Sequence, residues 1–431
     1  MSTSIMKNSG LSKAFQRTFL TTMGMTAAGF LSSVITARIL GPEGRGVMSA
    51  ALLVSTISAG IAQSGLASSY VYHHGAKKRF SYPSLLFYSI SGIMVVSCLI
   101  ACFGISLAPV LKNIGLLVIF MSAFAGAQTY FFTLSQLHSN LNFFNKLRLG
   151  SVIGNVVLLG FLIIGVRVVT PGEVLMSQLL VLICLTVAGG WWALKHEIWN
   201  VKEELDTTTL RRVLGYGLSQ HGTAMLSLFL LNFDKLVLLT RGNVVEYGYY
   251  ALAFSTSRLI GSVQDAVSVA LFSRFAGRDA DRLAQAVGIA FRLTFLPMLI
   301  VAAVGALSAP WFLNHIYGKQ FGEVATPFAI LLFECVVGGA SWTLAQRFNA
   351  SGRPELVLIR QFISVLPVMA GIPFLPEKNA FQCLAMLMLA GACLRLIATL
   401  ALYKFELREP FPSMMPTKVD GQLVRNMFVY R

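Results

Sequence analysis

The chain has 431 residues, 55% of them hydrophobic and 12% charged, with a formal net charge of +16 and a mean hydropathy of +0.70. A soluble globule has nowhere to hide that much apolar surface, so composition excludes a water-soluble domain. The basic excess would suit nucleic acid, and where the lysines and arginines fall, rather than how many there are, decides that question.

Candidate membrane spans, each near the ~20 residues that cross ~30 Å of hydrocarbon, run roughly over 16–40, 47–72, 83–108, 114–138, 150–167, 173–194, 213–240, 246–273, 284–309, 323–347, 355–376 and 380–403. They are long and continuously apolar, without the inside/outside alternation of a barrel, which predicts an all-α integral membrane protein of about twelve transmembrane helices. The start of the chain has basic residues before an apolar run, as a secretory signal does. That run is long, ends at Arg38 and lacks a small-residue cleavage box, so it reads as a retained first helix. Between the first two spans, Thr36-Ala-Arg-Ile-Leu-Gly-Pro-Glu-Gly-Arg-Gly-Val-Met-Ser-Ala-Ala-Leu-Leu-Val-Ser-Thr56 breaks at a glycine-containing turn and resumes with small and hydroxylated residues. The same pattern returns between the seventh and eighth spans, from Leu236 to Thr256, and points to a tandem duplication. The serines, glycines and alanines of the first two spans fit close helix packing or a hydroxyl-rich wall suited to sugar. Pro297 in the ninth span and Pro367 and Pro373 in the eleventh predict kinks.

The most polar linker follows the sixth span, giving an N-lobe at 1–195, a cytoplasmic linker at 196–210, a C-lobe at 211–404 and a cytoplasmic tail at 405–431. An even number of spans per lobe keeps both copies in one orientation. Two six-helix lobes are then parallel repeats, related by a pseudo-two-fold axis along the membrane normal, around a central cavity.

With the N-terminus cytoplasmic, twenty-three of the 34 lysines and arginines fall in cytoplasmic segments, Arg347, Arg353 and Arg360 among them. Seven fall outside, including Arg38 and Arg45, and four inside spans. This positive-inside bias orients the chain with both termini cytoplasmic, and a nucleic-acid surface becomes an unnecessary hypothesis.

No Walker, HExxH or GxSxG sequence is present, so an ATP-driven pump or a hydrolase is not indicated. All six cysteines lie in spans without CxxC pairs, and the histidines have no metal-ligand spacing, so neither metal nor cofactor is expected. His73 and His74, beside Lys77-Lys-Arg79, read as a solvated loop face.

Ionisable residues inside spans cost ~2.5–3.5 kcal/mol each at a helix centre and must face protein or water. The first two hundred residues hold only Glu43, Glu173 and Glu197 as acids, all at loops or helix ends. The second lobe carries Asp234, Lys235, Arg258, Asp265, Arg292, Glu334 and Arg395. Basic residues at mid-depth suit an anionic ligand, phosphate foremost. Arg258, near the centre of the eighth span, is the leading candidate; Asp265 shares its helix face, but ~10 Å of axial separation strains a direct pair. Lys235 binds ligand or snorkels to water. Arg292 and Arg395 reach the interface or inner-leaflet lipid phosphate, and Arg38 is a cavity gate or an interfacial anchor. His221 completes the candidate cavity set, while Asp234, Asp265 and Glu334 form the candidate ion-coupling or charge network.

Ala37-Arg-Ile-Leu-Gly-Pro-Glu-Gly-Arg-Gly46 resembles the first inter-helix turn of polysaccharide-transport flippases of the multidrug/oligosaccharidyl-lipid/polysaccharide exporter superfamily. Phe233-Asp-Lys-Leu-Val-Leu238 with Tyr247-Gly-Tyr-Tyr-Ala-Leu-Ala253, Ile316-Tyr-Gly-Lys-Gln-Phe321 and Ala350-Ser-Gly-Arg-Pro-Glu355 extend the likeness over essentially the whole chain. The resemblance implies a two-lobe transporter of the bacterial inner membrane, not an enzyme. Its cargo would be an undecaprenyl-pyrophosphate-linked glycan, moved from the cytoplasmic to the periplasmic leaflet for capsule, exopolysaccharide or O-antigen assembly. Membrane lipids, and the polymerase and glycosyltransferases of the same pathway, are the implied partners. A cation-coupled multidrug antiporter of the same superfamily and a membrane-embedded polysaccharide polymerase are the alternatives. The antiporter needs coupling carboxylates, and the polymerase a large periplasmic loop.

Overall fold

Hydrocarbon offers backbone amides no partner, so a spanning chain bonds within its own segments, and this one does so as helix. The computed structural model describes residues 9–75, 83–137, 142–165, 169–195, 207–241, 243–275, 280–350, 353–408 and 412. Among these residues there are no strands, and the α-helices follow as α1 (Ser9–Ala62), α2 (Leu66–Gly75), α3 (Pro83–Leu107), α4 (Gly115–Leu134), α5 (Asn142–Gly165), α6 (Pro171–Ala193), α7 (Thr207–Thr240), α8 (Val244–Phe275), α9 (Ala280–Ile316), α10 (Ala325–Ala350), α11 (Pro354–Gly371) and α12 (Ala380–Phe405). Ten described segments are long and apolar enough to cross a membrane. Large side chains such as Phe161, Ile164, Leu307 and Trp311 are exposed on their outer faces, as lipid contact requires. The chain is a multi-pass, all-α membrane protein.

The third to twelfth predicted spans coincide with α3 to α12, while the first two are joined differently. α1 runs through both, and α2 takes the remainder after a break at Gln63–Gly65. The non-helical residue inside α1 is Gly41, at φ 66° and ψ −176°. A side chain would be strained there, and Pro42 restarts the helix with its φ already set. The predicted glycine turn is therefore a break of one residue. α8, which carries Glu246, Arg258 and Asp265, is not among the ten apolar segments. Pro297 lies inside α9 and Pro367 inside α11. Pro373 instead lies past the end of α11, in the 3-10 turn Ile372–Phe374, so it closes a helix rather than kinking one.

The chain divides into two compact units, Met1–Gly248 and Tyr249–Arg431. In unit one α1 is the central helix: 61% of its apolar window is buried, against 17% for α3 and 11% for α5. It packs against α3, α4 and α5. α7 docks on α1 and α2, where the backbones of Gly65 and Gly217 meet and Ser69 Oγ donates to the Val213 carbonyl at 2.7 Å. Tyr130, Phe131, Trp192 and Val213 close this end of the core. At α6 the Thr170–Glu173 capping box, with Glu173 Oε2 accepting from Thr170 N at 2.7 Å, gives that acid a structural role. In unit two α10 is central, 67% buried against 17% for α11, and packs on α9 and α12. Phe291, Leu344, Phe348, Leu356 and Tyr403 form a core cluster there.

Duplication is visible in the element order. A six-residue 3-10 turn links α3 to α4 (Pro109–Ile114), and another links α9 to α10 (Lys319–Val324). The two copies of the breaking pattern also touch, within unit one. A Cβ on Gly46 would collide with the Val244 backbone, and one on Gly248 with the Pro42 carbonyl. The segment 196–206 and the tail beyond 412 lie outside the described residues, as does Lys77-Lys-Arg79.

Candidate functional site

Phe254, Arg258, Gly261 and Asp265 recur every three or four residues and so share one face of α8. The Arg258 guanidinium lies over the Phe254 ring, 4.3 Å from its centroid, and its Nη2 meets Glu334 Oε2 of α10 at 2.7 Å. Gly261 lets the helices approach this closely, since a Cβ there would come 2.6 Å from Cys335 Sγ. The two partners differ in access: the Arg258 side chain is 34% exposed and that of Glu334 5%.

Two further guanidiniums join from α12 and α11. Arg395 Nη1 donates to Gln361 Oε1 at 3.2 Å. Its Nη2 sits in a notch at Gly338, where a Cβ would lie 2.5 Å away, and Glu334 is within electrostatic reach. Arg360, wholly buried, donates from Nη1 to Ser341 Oγ at 2.8 Å and to the Ser341 carbonyl at 3.2 Å, with its guanidinium 5.5 Å from the Trp342 ring centroid. Ser341 Oγ is in turn bonded to Thr399 Oγ1 at 3.0 Å. Gln264 is also wholly buried; its amide fills the space that the missing Cβ of Gly339 leaves, and Nε2 donates to the Val336 carbonyl at 3.2 Å. Two guanidiniums, Arg258 and Arg395, thus share one buried carboxylate, and a third, Arg360, lies within electrostatic reach of Arg395, an excess of positive charge that attracts anions and repels cations.

The first unit holds a second charged group. Arg45, buried on α1 just past Gly41, donates from Nη1 to Thr36 Oγ1 at 2.9 Å and from Nη2 to Ser33 Oγ at 3.1 Å. Asp234, buried on α7, has Lys235 Nζ at 3.6 Å, and Nζ also donates to the Leu231 carbonyl at 2.6 Å. Tyr247 lies within electrostatic reach of both Asp234 and Arg45, and its hydroxyl donates to the Ser49 carbonyl at 3.4 Å.

The sequence candidates therefore sort as follows. Arg258 and Glu334 meet; Asp265 is exposed and within electrostatic reach of Arg258, so the counter-ion is Glu334 across the helix interface rather than the acid on the same face. Asp234 and Lys235 meet in unit one. Arg38 is exposed in the turn before Gly41, Arg292 is half-buried on α9 and His221 half-buried on α7; none of the three joins the bonds described for either group. Arg395 does not snorkel to an interface but is bonded inside the group. Two residues assigned to loops belong to the buried charge instead: Arg360, taken as cytoplasmic, lies within α11, and Arg45, taken as external, lies within α1. The signal that finds Arg360 is its register, since it shares a helix stripe with Leu356 and Val368, both buried.

The comparisons with known proteins agree with this architecture. The family described as "Polysaccharide biosynthesis protein" is matched over residues 35–326, more than half of the chain. No curated protein sequence matches significantly. Among solved structures, the lipid II flippase MurJ in an inward closed conformation superposes with a TM-score of 0.69 at 12% identity, covering 95% of this chain and 90% of that one. An inward-facing multidrug resistance MATE family transporter of the MOP superfamily gives 0.65 at 16% identity, covering 89% and 94%. A mutant of the Vibrio cholerae MATE transporter VcmN gives 0.60 at 15% identity, covering 93% and 98%. At such identities the likeness establishes the fold.

Proposed function

We propose that this chain, which belongs to the polysaccharide biosynthesis protein family, is a flippase for a polyprenyl-pyrophosphate-linked oligosaccharide. It carries an undecaprenyl-linked glycan from the cytoplasmic to the periplasmic leaflet of the bacterial inner membrane by alternating access, in capsule, exopolysaccharide or O-antigen biosynthesis. The observation that carries this reading is the pair of guanidiniums, Arg258 and Arg395, that share Glu334, with Arg258 as the partly open member. A pyrophosphate offers oxygens in the geometry a guanidinium fork matches, and the low dielectric of the site strengthens each such bond. The buried carboxylates Asp234 and Glu334 each have a basic partner, at 3.6 and 2.7 Å, which supports a charge network over a free cation-coupling acid.

On this reading Arg258 engages the pyrophosphate. Lys235, Arg38, Arg292 and His221 are the further groups assigned to headgroup or sugar, and Asp234, Asp265 and Glu334 balance their charge. The potential across the membrane supplies a drive: with a negative cytoplasm, each negative charge moved outward goes downhill by ~2.3 kcal/mol per 100 mV. The test is glycan export in cells carrying Arg258→Ala or Arg258→Lys at unchanged protein level. Export falls by about tenfold or more in the alanine variant, the loss of a charge-assisted bond, with partial recovery in the lysine variant. Unimpaired export in Arg258→Ala removes this residue from the site.

A further inference from the structure

Arg360 poses a separate problem. Its side chain is wholly enclosed, and its Nε and Nη2 have no hydrogen-bond partner among the described residues; the buried Nε of Arg395 has none either. Each arginine lies in the other's field, so they repel. The carboxylate within reach of Arg395, Glu334, is already in contact with Arg258. A charge taken out of water without a counter-ion is strongly disfavoured, and stacking on Trp342 together with one serine hydroxyl offsets only part of that.

We infer that Arg360 and Arg395 hold a small inorganic anion of the size and charge of chloride, enclosed among α10, α11 and α12. The donors left over on the two guanidiniums are what such an ion takes, and Ser341 and Gln361 fix the orientation of the arginines that carry them. Enclosure selects against bulk. Arg360 has no exposed surface, whereas Arg258 keeps a third of its side chain open, so a glycan or a lipid headgroup has access to Arg258 and not to Arg360. An anion at this position neutralises Arg395 and leaves Glu334 to Arg258, which ties the strength of the Arg258–Glu334 pair to anion occupancy. The inference stands on the geometry of unit two and does not depend on what the protein transports.

The test is thermal unfolding of the purified full-length protein in an uncharged detergent, at constant ionic strength. Gluconate is exchanged in turn for chloride, bromide or inorganic phosphate, and in a fourth arm anionic phospholipid is added. The expected result is a saturable rise in Tm with chloride and bromide. Arg360→Met raises the half-saturating halide concentration by about tenfold or more, as loss of a charge-assisted hydrogen bond predicts. Ser341→Ala is a smaller change that frees the guanidinium it anchors; it raises the same concentration by less and keeps the test decisive where Arg360→Met does not fold. Arg258→Ala keeps a saturable halide shift, at a higher half-saturating concentration because Glu334 is then free to pair with Arg395. The inference is overturned by a Tm that does not respond to halide. A response to phosphate or anionic lipid alone, lost in Arg258→Ala and kept in Arg360→Met, also overturns it, because the anion then belongs to the open arginine.

Discussion

The two buried charged groups are built from similar residues to different ends. In unit one the cations are bonded close to home: Arg45 by hydroxyls on its own helix, Lys235 by a carbonyl one turn back and by its neighbour Asp234. In unit two the cations come from three helices; Arg258 and Arg395 share one carboxylate, while Arg360 and Arg395 keep N–H groups that bond to nothing among the described residues. A group whose bonds stay within one helix or between chain neighbours fastens a turn, whereas one assembled from several helices is equipped to receive a ligand between them. Position says the same, since Arg45 follows the Gly41 break and Lys235 lies near the end of α7, while Arg258, Arg360 and Arg395 lie well inside their helices.

The largest expected effect comes from removing the shared carboxylate. Glu334→Ala leaves two guanidiniums without their counter-ion, and unfolding in detergent should show a loss of about 3–5 kcal/mol. A change below 1 kcal/mol would mean that the unit-two cations are neutralised elsewhere, and the contrast between the groups would fail. Next comes the close contact in unit one. Gly46→Ala drives a methyl group into the Val244 backbone, an overpacking that costs about 1–3 kcal/mol. The smallest effect belongs to Lys235→Ala: with its amine already bonded within its own helix, glycan export should change by less than about fivefold. A loss as large as that of Arg258→Ala would move the binding site toward unit one.

Much of the helical framework could be read from hydropathy, because a span must be apolar along its whole length whatever it packs against. The glycine break was legible for a related reason: Gly41 followed by Pro42 has few other conformational uses. What hydropathy could not give was the side of a boundary on which a charge falls. Arg360 and Arg45 each stand near the edge of an apolar run, where mean hydropathy cannot distinguish a buried arginine from one in solvent. Nor could the sequence pair Arg258 with Glu334, since that contact depends on how α8 and α10 meet at Gly261. Face periodicity offered Asp265 instead, a correct statement about α8 that was blind to its neighbour.

The contact between the two glycine turns carries a consequence for inheritance. Gly46 abuts Val244 while Gly248 abuts Pro42 and Gly46, so the matching parts of an ancestral repeat now fit each other like interlocked fingers. Neither turn can gain bulk alone, and a drift in one must be answered in the other. A chimaera that takes its first helices from one relative and its later ones from another should therefore assemble best when both turns come from the same parent.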